Sequence, residues 1–260
     1  MTRAYGRKVF FLYPDDVILP AVIDTLTKRE FEAYAFSSCA VLGKILGFYE
    51  NSILFLCADE GPGPDGWADL IREIHLDNQT QKSFYDSVVY AIVKNDTKSP
   101  QYKKLSSVIG EAFLIPYTES AEALGERIGT ILEALSARGQ RQYVRFGGAD
   151  QVVAKVCLTR MGECIFGEVH DISSVGMSCS FPDGIDFSPK EQIETIEIIC
   201  DDTSYHVKGS ILLKRENASG KPVFVIMFDR KNSPEAQEQI RSFITASLRA
   251  QVERKLALSS

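Results

Sequence analysis

Two arginines four residues apart, Arg141 and Arg145, are followed by an acid, a hydroxyl and a glycine in a short run, Asp171, Ser173 and Gly176. These are the residues whose types and spacing could do chemistry. They stand in the stretches RQYVR and DISSVG, separated by residues 146–170. Arginine presents a planar fork of donors that grips phosphate bidentately. The same fork matches O6 and N7 of guanine, and a guanidinium can lie flat on an aromatic ring. A carboxylate accepts from the N–H groups on the opposite guanine edge, and a serine hydroxyl adds a rotatable partner. A glycine suits a turn that needs a positive φ or a backbone that a ligand approaches closely. The set therefore suits a guanine nucleotide carrying phosphates. The plainer alternative is a pair of solvated arginines and an ordinary hairpin turn.

The elements that must hold these residues are strands. QVVAKVCLT, ECIFGEVHDIS, GMSCSF, IETIEIIC, SYHVKGSILLKRE and KPVFVIMFD read as six strands, with turns at SSVG, Asp201–Asp202 and Asn217–Gly220. Such a run of short strands predicts a small antiparallel barrel. EAQEQIRSFITASLRAQVERKLAL then predicts a long C-terminal helix, with Ile240, Phe243, Ile244, Leu248, Val252 and Leu256 as its apolar stripe.

R-x-x-x-R followed by D/N-x-S-x-x-G, with every signature position filled, resembles the PilZ domain, a bacterial receptor module for cyclic di-GMP. The resemblance covers residues 139–232. It implies a six-stranded barrel without enzymatic activity. Arg141 and Arg145 would take phosphates and guanine faces, Asp171 and Ser173 a guanine edge, and Gly176 the turn beneath the ligand. It also implies that the segment before the barrel, 139–150, is a mobile hinge that wraps the nucleotide.

The first half alternates apolar strands with amphipathic helices: RKVFFLY, DDVILPAVIDTLTKRE, EAYAFSS, CAVLGKILGFY, NSILFLCADE, GWADLIREIHL, SVVYAIVKN, a short polar helix near 100–108, EAFLIPY and ESAEALGERIGTILEALSARG. This predicts a doubly wound parallel sheet of five strands over residues 1–138, with the barrel domain at 139–260. GPGPDG at 61–66 reads as a turn-rich loop, since two prolines remove N–H groups a phosphate cradle would use.

This half resembles a response-regulator receiver. FLYPDD matches the strand ending in paired metal-binding acids, Asp15 and Asp16, which could equally cap the first helix. The register of Pro62 and Gly66 puts the phosphoacceptor position at Ala58, the lysine position before Pro116 holds Ile115, and the hydroxyl position falls at Val93. An alanine methyl cannot be phosphorylated, and phosphoryl transfer needs a nucleophilic carboxylate with cations around it. The resemblance thus implies a pseudo-receiver that contacts a protein partner or dimerises. A one-residue slip would make Asp59 the acceptor and the chain a phosphorylation-controlled regulator.

Totals narrow the classes. Lys+Arg against Asp+Glu is 14 to 19 before residue 139 and 15 to 16 after it, for a net charge of −6. Neither half carries the basic excess of a non-specific nucleic-acid binder. The start lacks a signal-peptide pattern and no apolar run reaches membrane-spanning length, so a cytoplasmic location is expected. Six scattered cysteines, at 39, 57, 157, 164, 179 and 200, form no C-x-x-C pair and read as small buried hydrophobes in a reducing compartment. His75, His170 and His206 lie too far apart for a metal motif, with His170 placed to border the ligand or to sit on a surface strand. No cofactor, metal or catalytic set is expected. The leading expectation is a cyclic di-GMP receptor that relays to an unidentified protein partner through a domain rearrangement. A PilZ-like scaffold without ligand is the alternative.

Overall fold

A computed structural model describes residues 6–13, 15, 17–76, 87–94, 96–117, 120–148, 152–160, 162–200, 203–217 and 219–258, the side chains of 75 and 76 excepted. Asp16 and the Asp201–Asp202 turn lie outside these residues. The chain forms two compact units, Met1–Gln142 with Val252–Ser260, and Tyr143–Gln251.

In the first unit, β1 (Val9–Leu12), β2 (Ala33–Phe36), β3 (Ile53–Cys57), β4 (Val88–Val93) and β5 (Leu114–Pro116) pair in parallel in the order β2-β1-β3-β4-β5. All four residues of β1 and the first four of β3 are buried. Such unbroken apolar runs occur where helices cover both sheet faces. The helices are α1 (Leu19–Lys28), α2 (Val41–Phe48), α3 (Gly63–Leu76), α4 (Lys103–Ile109) and α5 (Ala121–Ala134). Leu19, Val22 and Leu26 of α1 and Leu124, Ile128 and Leu132 of α5 pack with Val9, Phe11, Ile53 and Phe55. Their spacing of three and four is the apolar stripe of a surface helix. Ser120 caps α5, its hydroxyl accepting from the Ala123 N–H at 3.3 Å. The 61–66 stretch is not all loop: α3 starts at Gly63, with Pro64 in its first turn, where a missing N–H costs nothing.

The second unit is a closed barrel. β7 (Ala154–Arg160), β8 (Glu163–Ser173), β9 (Gly176–Ser180), β10 (Gln192–Cys200), β11 (Thr203–Glu216) and β12 (Pro222–Phe228) run β8-β7-β10-β11-β12-β9, and β9 returns to pair with β8. Closure leaves the ladder without an open edge. The six expected strands are all present. A seventh, β6 (Arg145–Gly147), was not anticipated: it extends the sheet along β8, with Arg145 opposite Ser173 and Gly147 opposite Asp171. The segment expected to be a free hinge is therefore hydrogen-bonded at its centre. Arg145 and Gly147 of β6 are exposed, while Phe146 packs edge-on against Phe243 of α6 (Pro234–Ala257), 5.9 Å between centroids. Phe243 also meets Tyr205, and Ile240, Ile244 and Leu248 are buried on the same stripe.

The cysteine expectation needs a correction. Cys39, Cys57 and Cys179 are free, but Cys157 and Cys164 form a disulfide across the β7–β8 ladder with their Cα atoms 5.8 Å apart. Strand pairing brings together two residues whose sequence spacing resembles no known cysteine motif.

Phe224 is fully buried between Phe181 and Phe187 in the barrel. Phe224→Ala should cost about 3–5 kcal/mol of unfolding free energy, as large-to-small changes at packed aromatic sites do. Urea titration checks this; a loss under about 1 kcal/mol would show that this aromatic cluster does not hold the barrel together.

Candidate functional site

On β8, Val169 and Ile172 face the barrel interior and are fully buried. A register shift between Val169 and Asp171 leaves His170 as the extra residue. Such a bulge re-aims the side chains beside it. Asp171 pairs with Ser178 of β9, whose neighbours Met177 and Cys179 fill the interior, so Asp171 and Ser178 share the outer face.

Asp171 is the centre of a polar cluster on that face, its side chain only 14% exposed. Arg145 donates to its Oδ1 at 3.2 Å. The Ser178 hydroxyl donates to its Oδ2. Arg215, near the end of β11, places Nη2 4.0 Å from the same Oδ2. The acid is thus held between two cations, one from β6 and one from β11, and both arginines keep about half of their side-chain surface in solvent. Beside the cluster, His170 Nε2 and the Ser180 hydroxyl are 2.9 Å apart, and His170 Nδ1 is buried without a partner.

The expected site residues fall as follows. Arg145 and Asp171 form an ion pair. Ser173 is 3% exposed, and its hydroxyl donates to the Gly176 carbonyl at 3.0 Å, closing the turn between β8 and β9. Gly176 does not have a positive φ. Its need is space, because a Cβ there would stand 2.4 Å from the Ile226 carbonyl oxygen of β12. Close approach is real, but by backbone rather than by a ligand. Gly147 has both needs, with φ of +102° and a virtual Cβ 2.2 Å from the His170 carbonyl oxygen. Arg141 is exposed, four residues ahead of Arg145 in the stretch leading to β6. Sequence reasoning missed Arg215 and Ser178. Ser178 sits two residues past Gly176 and could have been found by alternation along GMSCS, whereas Arg215 becomes a neighbour only when the barrel closes.

The first unit carries a separate cluster at the carboxyl ends of its parallel strands. A small pocket of about 30 Å³ lies there, lined by the apolar Phe11, Ile18, Val22 and Leu124 and by Asp15, Asp59, Glu60 and Lys94. Open α/β sheets place ligand crevices at this end. Here the acids already have partners. Lys94 Nζ is 2.6 Å from Glu60 and 3.2 Å from Asp15. Asp59 accepts from the Tyr102 hydroxyl at 2.7 Å and from the Lys94 N–H at 2.7 Å. The buried Trp67 fixes this loop by donating to the carbonyls of Cys57 and Glu60. Asp15 Oδ1 accepts from the Val17 N–H at 3.0 Å, one turn ahead of α1. Ala58, Val93 and Ile115 are all buried, so the positions matched to acceptor, hydroxyl and lysine are core.

The charges follow from these contacts. The Val17 N–H and then Lys94 hold the Asp15 carboxyl below its ordinary value. Hydrogen bonds to Glu60 and Asp15 raise Lys94 to about 12. Burial pushes the Cys57 thiol up to about 11. Among the described residues no group of His, Cys, Asp and Glu is arranged to hold a metal ion, and no helix is long and apolar enough to cross a membrane.

No family model matches the chain, and no curated protein matches it. Among solved structures it is similar to Escherichia coli YcgR in complex with c-di-GMP, at 17% identity over 47% of this chain and 52% of that one, with a TM-score of 0.39. It is also similar to the Bacillus subtilis inhibitor of motility MotI/DgrA, at 19% identity over 44% of this chain and 52% of that one, TM-score 0.36. A third likeness is to the PilZ domain of E. coli YcgR with c-di-GMP, at 15% identity over 44% of this chain and 96% of that one, TM-score 0.37. The matched region spans about half the length of the first two proteins. Likeness at this level fixes neither ligand nor role.

Lys94 gives a pH test. Asp15 has a depressed value, so its contribution is present above the ordinary carboxylate range and is lost as pH falls through it. Lys94 has a raised value, so its contribution is present below about 10.5 and is lost as pH rises through about 12. Both ends of the pair are partly exposed, so Lys94→Met should cost only about 0.2–1 kcal/mol between pH 5 and 9. The difference from the parent should shrink toward zero below about pH 3. Thermal unfolding across pH checks this; an equal loss at pH 3 and pH 7 would mean that charge is not what Lys94 contributes.

Proposed function

We propose that this protein is a receptor for cyclic di-GMP and not an enzyme. The observation that carries the reading is the outer-face cluster, where Arg145, Asp171 and the Ser173–Gly176 turn are brought together by strand pairing. A ligand with two guanines and two phosphates needs cationic forks, a carboxylate for a guanine edge and open barrel surface, and this face has all three. Arg145 and Arg141 take phosphates and guanine faces, and Asp171 takes a guanine edge. Ser173 acts mainly by closing the turn, and Gly176 by letting β9 lie against β12. Ligand capture by both arginines restrains the segment before β6 and so alters the arrangement of the two units, which is the signal passed to a protein partner. The chain acts in a cytoplasmic, bacterial setting.

The first unit is read as a pseudo-receiver. Its three pocket acids are occupied by Lys94, Tyr102 and backbone donors. It serves as an interaction module and not as a phosphorylation switch. Incubation with acetyl phosphate and Mg²⁺ should therefore leave the chain unmodified by intact mass; a stoichiometric phosphoryl adduct on Asp59 would restore the response-regulator reading.

Calorimetric titration with cyclic di-GMP tests the receptor reading. Hydrogen bonds to charged groups contribute about 1.5–3 kcal/mol each, and about 1.4 kcal/mol is tenfold in affinity. Arg141→Ala, Arg145→Ala and Asp171→Ala should each weaken binding at least about tenfold while the fold survives. A parent that does not bind, or arginine variants that bind like the parent, would leave a PilZ-like scaffold.

A further inference from the structure

Cys157 and Cys164 stand apart from the other four cysteines. Cys157 is 5% exposed on β7, Cys164 is exposed on β8, and their Cα atoms are 5.8 Å apart. That separation lies in the range a disulfide spans without moving the backbone. Cys39, Cys57 and Cys179 have no disulfide partner. A chain that keeps Cys39 and Cys57 as partly exposed thiols outside any bridge is not built for a permanently oxidising setting, where exposed cysteines are paired or absent. A bridge in such a chain is one that opens and closes. Geometry singles out this pair for it, because Cys179 and Cys200 are buried, and among the described residues the one bridge joins Cys157 and Cys164.

We infer that Cys157 and Cys164 are a reversible thiol–disulfide couple, oxidised by low-molecular-weight disulfides, with Cys164 as the point of entry and Cys157 as the resolving thiol. The Cys164 thiolate attacks one sulfur of the small disulfide and expels one thiolate, forming a mixed disulfide. The Cys157 thiolate then attacks Cys164 Sγ and expels the second. The two cysteine protons go to the two departing thiolates. One small disulfide is reduced to two thiols, and the two protein thiols are oxidised to one bridge. Exposure decides the order: only Cys164 is open to a molecule from solution, while Cys157 is reached from within the ladder.

The test uses the full chain in mixtures of reduced and oxidised glutathione, followed by alkylation, trypsin and mass spectrometry. Arg160 lies between the two cysteines, so trypsin places them on separate peptides, 156–160 and 161–190. In the folded parent those two peptides should become linked as the oxidised share rises, and dithiothreitol should separate them. Cys157→Ser should instead accumulate glutathione on Cys164, with no resolving thiol to expel it. Cys164→Ser should leave Cys157 free. Absence of the linked peptides across the whole range would overturn the couple. Glutathione accumulating on Cys157 in the Cys164→Ser protein would overturn the assignment of the entry point.

Discussion

A carboxylate that keeps only 14% of its side-chain surface in water must find donors inside the protein, because burying a charge without partners is costly. Asp171 meets that requirement with Arg145, Ser178 and Arg215, and the outer face of the barrel is arranged around it. Each partner depends on a different piece of the fold. Arg145 is placed by β6 pairing with β8, Ser178 by β9 returning along β8, and Arg215 by the far end of β11. The β8–β9 turn is fixed by the Ser173 hydroxyl and by the close packing of Gly176 on β12. These residues are thus tied to barrel closure, and the two arginines that hold the acid keep about half of their side-chain surface in solvent.

The first unit shows the same principle used to opposite effect. Its strand-end pocket gathers three acids, an arrangement that would ordinarily call for an outside cation. Lys94 supplies that charge from β4's end, and Tyr102 and a backbone N–H take the oxygens of Asp59. With Ala58 in the core, the residue matched to a phosphoacceptor has no reach into the pocket. The acids of this pocket are satisfied inside the unit by an ion pair and hydrogen bonds.

Much of this was legible in the residues. Unbroken runs such as VFFL and ILFLC mark strands buried on both faces, and alternating strands and helices give the parallel sheet. ECIFGEVHDIS reads as a strand of the same length the structure shows. What failed to show was whatever depends on long-range pairing. RFG is too short and too polar to announce itself as a strand, yet β8 offers it partners. Arg215 lies 44 residues beyond Asp171 along the chain, and no local pattern links them. Cys157 and Cys164 become neighbours only through the β7–β8 ladder. Gly176 was expected to serve a turn with a positive φ or a close ligand; it opens β9 without a positive φ, and the carbonyl of Ile226 that excludes a side chain there belongs to a strand 50 residues away.

The central claim is that cyclic di-GMP binds the Asp171 face and draws in the arginine-bearing segment beside it. Hydrogen exchange with and without the nucleotide addresses both halves at once. The account expects slower exchange in residues 139–148 and in 171–176, with the interior strands of both units unchanged. Unaltered exchange at 171–176 in the presence of saturating nucleotide would contradict it.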